Sequence, residues 1–238
     1  MSLKNIFLKN FLTYKIYIYY NLYIRNKVLI KRKSYSQWGE DMYIKKYFSD
    51  LKIGFYVDIG CFHPIMYSNT CLLYNQGWSG LNIDLNETSI DLFNIMRPKD
   101  FNICAALSNE VKEEDLYIDH SFSPANTISK SFYTKSNKKI AFKNLKNKKI
   151  ETKTFNNVVQ KIPNFPVIDF LNIDCEGYDY LILKDFNLNM YKPKLLCIET
   201  HEINDKEVEN YKEIMKLINE NNYHLYKRCG PSSIFYKK

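Results

Sequence analysis

Carboxylates, imidazoles and one turn glycine recur at short spacings in this 238-residue chain. Asp58 and Gly60 sit two apart, His63 follows in the same turn, and Asp84 closes a later apolar segment. Further on, Asp174 and Glu176 sit two apart, and Glu199 and His201 repeat that spacing. A strand ending in a glycine turn, then a strand ending in an acid, is the arrangement that holds an adenosine. The turn lets backbone approach the ligand, and the acid accepts hydrogen bonds from ribose hydroxyls. A dinucleotide site needs Gly-x-Gly-x-x-Gly to reach a pyrophosphate. Here Gly60 stands alone, followed by the bulkier Cys61, Phe62, His63 and Pro64. The pattern suits a ligand with adenosine and no phosphates, namely S-adenosylmethionine, and so points to methyl transfer rather than hydride transfer.

Methyl transfer from a sulfonium is an in-line displacement in which the enzyme chiefly aligns an acceptor lone pair. A hydroxyl acceptor must also give up its proton. His63 and His201 are candidates for that base, because imidazole titrates near neutral pH. Asp174 and Glu176 fall at the C-terminal edge of an apolar strand, where open α/β sheets bind ligands. Two acids so close repel unless they share a cation, a hydroxyl or a proton. With Glu199 and His201 on the neighbouring strand, all four can converge. Asp174, Glu176 and Glu199 could equally hold Mg2+, which prefers hard oxygen ligands, so a divalent metal stays open. Asp58 is read as orienting the turn or a ligand ammonium. Asn69 is read as a helix cap or a ligand contact.

The elements that must position these groups follow from periodicity. Phe55, Val57 and Ile59 alternate with Tyr56 and Asp58, which predicts a buried strand ended by Gly60. Ser68, Asn69 or Thr70 can cap a short helix stopped by Gly77. Strands are expected at 80–85, 101–107, 167–174 and 195–200. Helices are expected at about 36–50, 87–96, 178–185 and 205–221. A terminal hairpin over 223–228 and 232–236 turns at Gly230-Pro231. Helices alternating with buried strands, then an antiparallel finish, make a doubly wound α/β sheet.

Taken together, several pieces resemble the FkbM family of S-adenosylmethionine-dependent methyltransferases. They are Ser36-Gln37-Trp38-Gly39-Glu40-Asp41, Val57-Asp58-Ile59-Gly60, His63-Pro64, Ser68-Asn69-Thr70, Gly77-Trp78-Ser79-Gly80 and Asn82-Ile83-Asp84. Downstream come Asn102 through Ser108, Asn172 through Tyr178, and Ile198-Glu199. The ordered set spans about residues 34 to 200; Cys61 departs from the alanine usual in the family. The resemblance implies a class I methyltransferase fold with a Rossmann-like seven-stranded sheet. It implies O-methylation of a carbohydrate, in a surface polysaccharide or lipooligosaccharide or its precursor. It also places Cys104 and Ala105 beside the adenine, and raises Gln37 and Asp41 from helix-capping residues to contacts of the methionine end. The cofactor set is then Gln37, Asp41, Asp58, Gly60, Asn69, Asp84, Cys104, Ala105 and Asp174. N-methylation, or methylation of a small phosphorylated molecule, is the alternative within the class. A nicotinamide oxidoreductase and a non-catalytic membrane-tethered module are the alternatives outside it.

Charge divides the chain. The net charge is +8, yet residues 1–33 hold eight lysines and arginines and no acid, leaving 26 bases against 26 acids elsewhere. The body therefore lacks the basic excess of a nucleic-acid binder. The arm, 1–33, is separated from a methyltransferase body at 34–238. Its longest uncharged run, Ile16 to Ile24, is nine residues, against about 20 for a membrane span. No small-residue cleavage site follows it. It is expected to be helical and to lie outside the cofactor fold, either on an anionic membrane face or against the core or a second subunit in a homodimer. Residues 120–150 carry many lysines and no carboxylate, read as an acceptor loop favouring an anionic substrate or as a solvated insertion. The six cysteines lack Cys-x-x-Cys spacing, which suits free thiols in the cytoplasm, with the arm bringing the protein to the inner membrane face.

Overall fold

The computed structural model describes residues 11–118, 122–137 and 148–238. The seven-stranded sheet is built from β1 (Phe55–Ile59), β2 (Ser79–Asp84), β3 (Phe101–Cys104), β7 (Phe170–Ile173), β8 (Leu195–Glu199), β9 (Tyr223–Cys229) and β10 (Ser232–Lys237). Their order is β3-β2-β1-β7-β8-β10-β9. The first five run parallel, and β10 is antiparallel to both of its neighbours. The sequence-based expectation of a doubly wound sheet with an antiparallel C-terminal hairpin holds.

Alternation explains why these segments are strands. Phe55, Val57 and Ile59 of β1 join one core cluster with Leu171 and Ile173 of β7 and Leu196 and Ile198 of β8. Tyr56, Phe170, Leu195 and Cys197 face the other way into a second cluster. Both faces are thus covered, as a parallel sheet requires. On the first face lie α6 (Phe155–Val159), α7 (Asp179–Asp185) and α9 (Tyr211–Glu220), through Phe155, Val158, Ile182, Leu183, Ile214 and Ile218. On the second lie α2 (Glu40–Tyr47) and α3 (Cys71–Asn75), through Ile44 and Leu73. Each such side chain, fully buried, contributes about 1.5–3 kcal/mol. The helix α4 (Glu87–Met96) begins at Asn86, whose side chain accepts from Thr88 N, and α6 begins with a Thr154–Asn157 capping box. A short α8 (Leu188–Tyr191) precedes β8.

Several boundaries differ from expectation. The helix expected from residue 205 begins at Tyr211, and the strand expected over 101–107 breaks after Cys104. Its remainder, β4 (Ala106–Leu107), belongs to a separate three-stranded sheet with β6 (Lys148–Lys153) and β5 (Glu113–Leu116). None of Ser68, Asn69 and Thr70 caps α3, because their side chains are taken up elsewhere in buried polar contacts.

The 120–150 segment is only partly within the described residues; 120–121 and 138–147 lie outside them. The rest is ordered into α5 (Lys130–Asn137) and the start of β6. Two of its described lysines meet acids. Lys149 pairs with Asp115 at 2.9 Å across the β5–β6 ladder, and Lys135 approaches Glu202 and Glu209. Opposite charges that are separated in sequence thus meet in space.

The arm, described from residue 11, forms α1 (Phe11–Tyr19) continued by one π-helical turn (Tyr20–Arg25). It does not stand off from the fold. Ile18 and Leu22 are buried with Ile65, Cys71, Leu72 and Leu92, and Tyr14 donates its hydroxyl hydrogen to Asp91.

Candidate active site

The C-terminal ends of β1, β2, β3 and β7 open onto one cleft holding about 840 Å³ of space between its walls, counted out to open solvent. Gly60, Phe62 and Tyr67 line it after β1, Asp84 and Leu85 after β2, Ala105 to Leu107 after β3, and Asp174, Cys175, Glu176 and Tyr178 after β7. Gln37 and part of the 123–128 segment complete the wall. Among the described residues this lining holds three carboxylates and no Lys, Arg or His. Such a wall offers nothing to a pyrophosphate and suits a ligand bearing positive charge.

Gly60 has φ +79°, and a Cβ there would stand 1.8 Å from the Asp174 carbonyl oxygen. Any side chain would push the turn off the end of β7. Phe62, Tyr67 and Glu176, all on the cleft wall, also hold positive φ. Left-handed backbone at non-glycine residues costs on the order of 1–3 kcal/mol each and gathers where a site must aim its groups.

Asp84 holds the turn together. Its Oδ2 accepts from Phe62 N and its Oδ1 from Asn86 N, both at 2.8 Å. Burial raises its pKa to about 6 even so. Asp84 lines the cleft, and each of its oxygens keeps a further lone pair with which a carboxylate could accept from a ribose hydroxyl.

Asp174 follows β7. Burial first, then the charges of Asp179, Asp58, Glu40 and Asp84, raise its pKa to about 8. Burial first, then the charges of Asp174 and Asp179, lift Glu176 and Glu199 well above the ordinary carboxylate range, and Glu176 and Glu40 add to the shift of Glu199. Asp179, which the sequence reading passed over, shapes this corner. Its two oxygens accept from Cys175 N and Gly177 N at 3.0 and 3.1 Å, clamping the Glu176–Gly177 turn. A Glu-Gly-x-Asp run with a glycine that needs φ +96° was the available signal.

Of the residues expected at the site, Gln37, Gly60, Asp84, Ala105, Asp174 and Glu176 reach the cleft. The others do not line it, and most have a visible alternative task. Asp58 is buried and accepts from Thr70 Oγ1 at 2.6 Å and Asn172 Nδ2 at 2.9 Å. Asn69 gives its amide to Asn172 Oδ1 at 2.9 Å. Asp41 ties residues 34–36 by accepting from Ser34 Oγ, Tyr35 N and Ser36 Oγ. Cys104 is exposed, and Ala105 lines the cleft in its place.

His63 follows β1 as expected but does not line the cleft. It is fully buried, Nδ1 accepts from Ile65 N and Met66 N, and Nε2 lies 2.8 Å from Asn21 Oδ1 and 3.2 Å from Asn26 Nδ2. With both ring nitrogens engaged and burial lowering its pKa to about 3, it is placed to hold the turn rather than to take a proton from a substrate. His201 sits at the end of β8, Nδ1 2.8 Å from Thr200 Oγ1, its ring edge-on to Tyr211. The expected convergence therefore brings Asp174 and Glu176 to the cleft with Glu199 behind them, and leaves His201 out. Among the described residues no three His, Cys, Asp or Glu gather in a way that could hold a metal ion.

Arg97, at the C-terminal cap of α4, underpins the turn. It is buried and donates to Thr70 Oγ1, Tyr56 Oη, Ser68 Oγ and Pro64 O at 2.6–3.1 Å. Through Thr70 it reaches Asp58, and through Tyr56 it reaches Asp100.

A family model described as the methyltransferase FkbM domain matches residues 58–225. No curated protein matches the chain. Among solved structures, a TehB-like SAM-dependent methyltransferase from Corynebacterium glutamicum aligns over 92% of this chain and 96% of its own, with 14% identity and a TM-score of 0.45.

Proposed function

The chain belongs to the FkbM methyltransferase family, and from that premise we propose that it moves a methyl group from S-adenosylmethionine to a sugar hydroxyl. The acceptor would be a surface polysaccharide or lipooligosaccharide, or its precursor. The strand order β3-β2-β1-β7-β8-β10-β9 is that of class I methyltransferases, and the cleft lies where that sheet binds its ligand.

The residues present fit S-adenosylmethionine. Asp84 is placed for the ribose hydroxyls, and Gly60 admits the ligand close to backbone. Ala105 is small enough to leave room for the adenine ring, and the carboxylates suit an ammonium. The cofactor, when bound, supplies a methyl group already activated by its sulfonium. Asp174 and Glu176 stand on the same wall and would take the proton of the acceptor hydroxyl. The observation that carries the hydroxyl reading is that Asp174 and Glu176 stand together on the cleft wall, where a carboxylate raised by burial can act as general base to an acceptor hydroxyl. Gln37 and Tyr67 add neutral hydrogen-bonding groups suited to a polyol.

A second reading, transfer to an amine, is favoured by the same carboxylates and by the absence of a cation in the described lining. That absence weighs against a phosphorylated acceptor. Incubation with S-adenosylmethionine labelled in its methyl group, with oligosaccharides and amines as acceptors, tests the proposal. Base-stable methyl ether on a sugar is the expected product. Label found on amines alone would transfer the assignment to the second reading.

A further inference from the structure

The arm helix is apolar on two opposite sides, and among the described residues only one of them is covered. Tyr14, Tyr17, Ile18, Asn21 and Leu22 recur at helical spacing and are buried or half-buried against the body. Ile16, Tyr19, Tyr20, Tyr23 and Ile24 recur at the same spacing and are exposed, Ile16 at 57% and Ile24 at 64%. Leu29, just beyond, is 84% exposed. A soluble helix ordinarily turns charge to water on its outer side. A contiguous exposed apolar stripe marks a surface that meets something.

The charges beside the stripe say what it meets. Lys15, Arg25, Lys27, Lys31, Arg32 and Lys33 are all exposed, and no acid occurs in the first 33 residues. Two copies of this arm packed face to face would bring like charges together with nothing to offset them. A nucleic acid would use the cations and leave the apolar stripe in water. An anionic bilayer takes both, seating apolar and tyrosine side chains at the headgroup boundary and drawing the cations to its phosphates.

We propose that the outer face of the arm, Ile16 to Leu29, is a peripheral binding surface for anionic phospholipid membranes. No helix among the described residues is long and apolar enough to cross a bilayer, so the contact is one of lying on the surface. The inner face of the same helix reaches the active-site cleft in two steps. Tyr17 meets Phe122 edge-on, and Phe122 stacks at 5.0 Å on Phe62, which lines the cleft. A membrane-docked arm thus sets the cleft beside the lipid surface, where a lipid-anchored acceptor would be presented.

Co-sedimentation of the full-length protein with phosphatidylglycerol-containing and pure phosphatidylcholine vesicles is the test. The expected result is binding to the first only, reversed by high salt. Two variants at exposed positions locate the surface, with melting curves confirming that each is folded. Removing three cations (Lys15→Gln, Arg25→Gln, Lys27→Gln) should weaken binding on the order of 100-fold. Placing acids on the stripe (Ile16→Glu, Ile24→Glu) should abolish it. Full-length protein left in the supernatant, binding that ignores lipid charge, or binding untouched by both variants would each overturn the proposal. So would a dimer disrupted by the stripe variant in the absence of vesicle binding.

Discussion

Asp174 and Asp84 share one cleft and divide the work by what surrounds them. Asp174→Asn should lower the transfer rate by about 100- to 10,000-fold, the usual cost of losing a general base, while S-adenosylhomocysteine affinity changes little. Because the Asp174 pKa is raised to about 8, its proton-accepting form is scarce at low pH. The wild-type rate should climb as pH rises towards 8, and that limb should vanish in the variant. A normal rate at saturating substrates would pass the role to Glu176. Asp84→Ala removes a ribose acceptor and orphans Phe62 N and Asn86 N. Titration calorimetry should show S-adenosylhomocysteine bound about 1.5–3 kcal/mol more weakly; unchanged affinity in a folded variant would reduce Asp84 to a turn-holder. His63→Ala belongs to stability. Losing its hydrogen bonds to the Ile65 and Met66 amides should cost about 1–3 kcal/mol in denaturant melts, and the pH profile of transfer should keep its shape. A lost limb near the ordinary histidine pKa would restore His63 as a base.

The arm is the element whose place differs most from a reading of its composition. Its eight cations argued for a segment apart from the fold, yet Asn21 and Asn26 contact the buried ring of His63. Ile18 and Leu22 are 3% and 0% exposed. Deleting residues 1–33 should therefore lower stability by at least about 3 kcal/mol, taking about 1.5 kcal/mol for each of those two side chains. It should also loosen the turn that carries Phe62. A truncated protein that melts with the full-length one would show that the inner face contributes nothing. The β5–β6 ladder teaches the complementary lesson. The lysines of 120–150 carry no acid among them in sequence, yet Lys149 pairs with Asp115 of the neighbouring strand.

For the molecule as a whole, the acids behind the cleft set a pH dependence. Burial raises Asp174, Glu176, Asp179 and Glu199 above their ordinary values, and repulsion from neighbouring carboxylates adds to the shifts of Asp174, Glu176 and Glu199. The folded chain then keeps protons that the unfolded chain releases. By linkage, their contribution to stability falls as pH rises from about 4 towards the 8 of Asp174. Histidine 63 acts in the opposite direction and lower, since its depressed pKa removes stability as pH drops from 6.5 towards 3. Melting temperatures of the ligand-free protein should decline from mildly acidic to mildly basic pH. S-adenosylmethionine should flatten that decline, because its positive charges offset the carboxylates. A flat ligand-free profile would mean that water already screens the cluster.

What the sequence determined by itself is local. The alternation of Phe55, Val57 and Ile59, the glycine ending β1 and the Gly230-Pro231 turn were enough for the sheet and its terminal hairpin, and the single Gly60 with the acid closing β2 for the expectation of an adenosine site. Each depends on neighbours a few residues apart, through pleat, turn geometry and capping. Tertiary structure alone decided which polar groups face the ligand. His63 and Asp58 lie in the right turn, but partners from distant segments, Asn21 and Asn26 for one and Asn172 for the other, occupy them. Arg97, one residue past α4, gains its role only when folding places it beside four hydrogen-bond acceptors. Asp179, Glu40 and Glu199 became one electrostatic unit with Asp174 only when the strand ends were brought together. Desolvation and charge coupling act through space, so chain spacing could name the acids of this site but not say which of them would face its ligand.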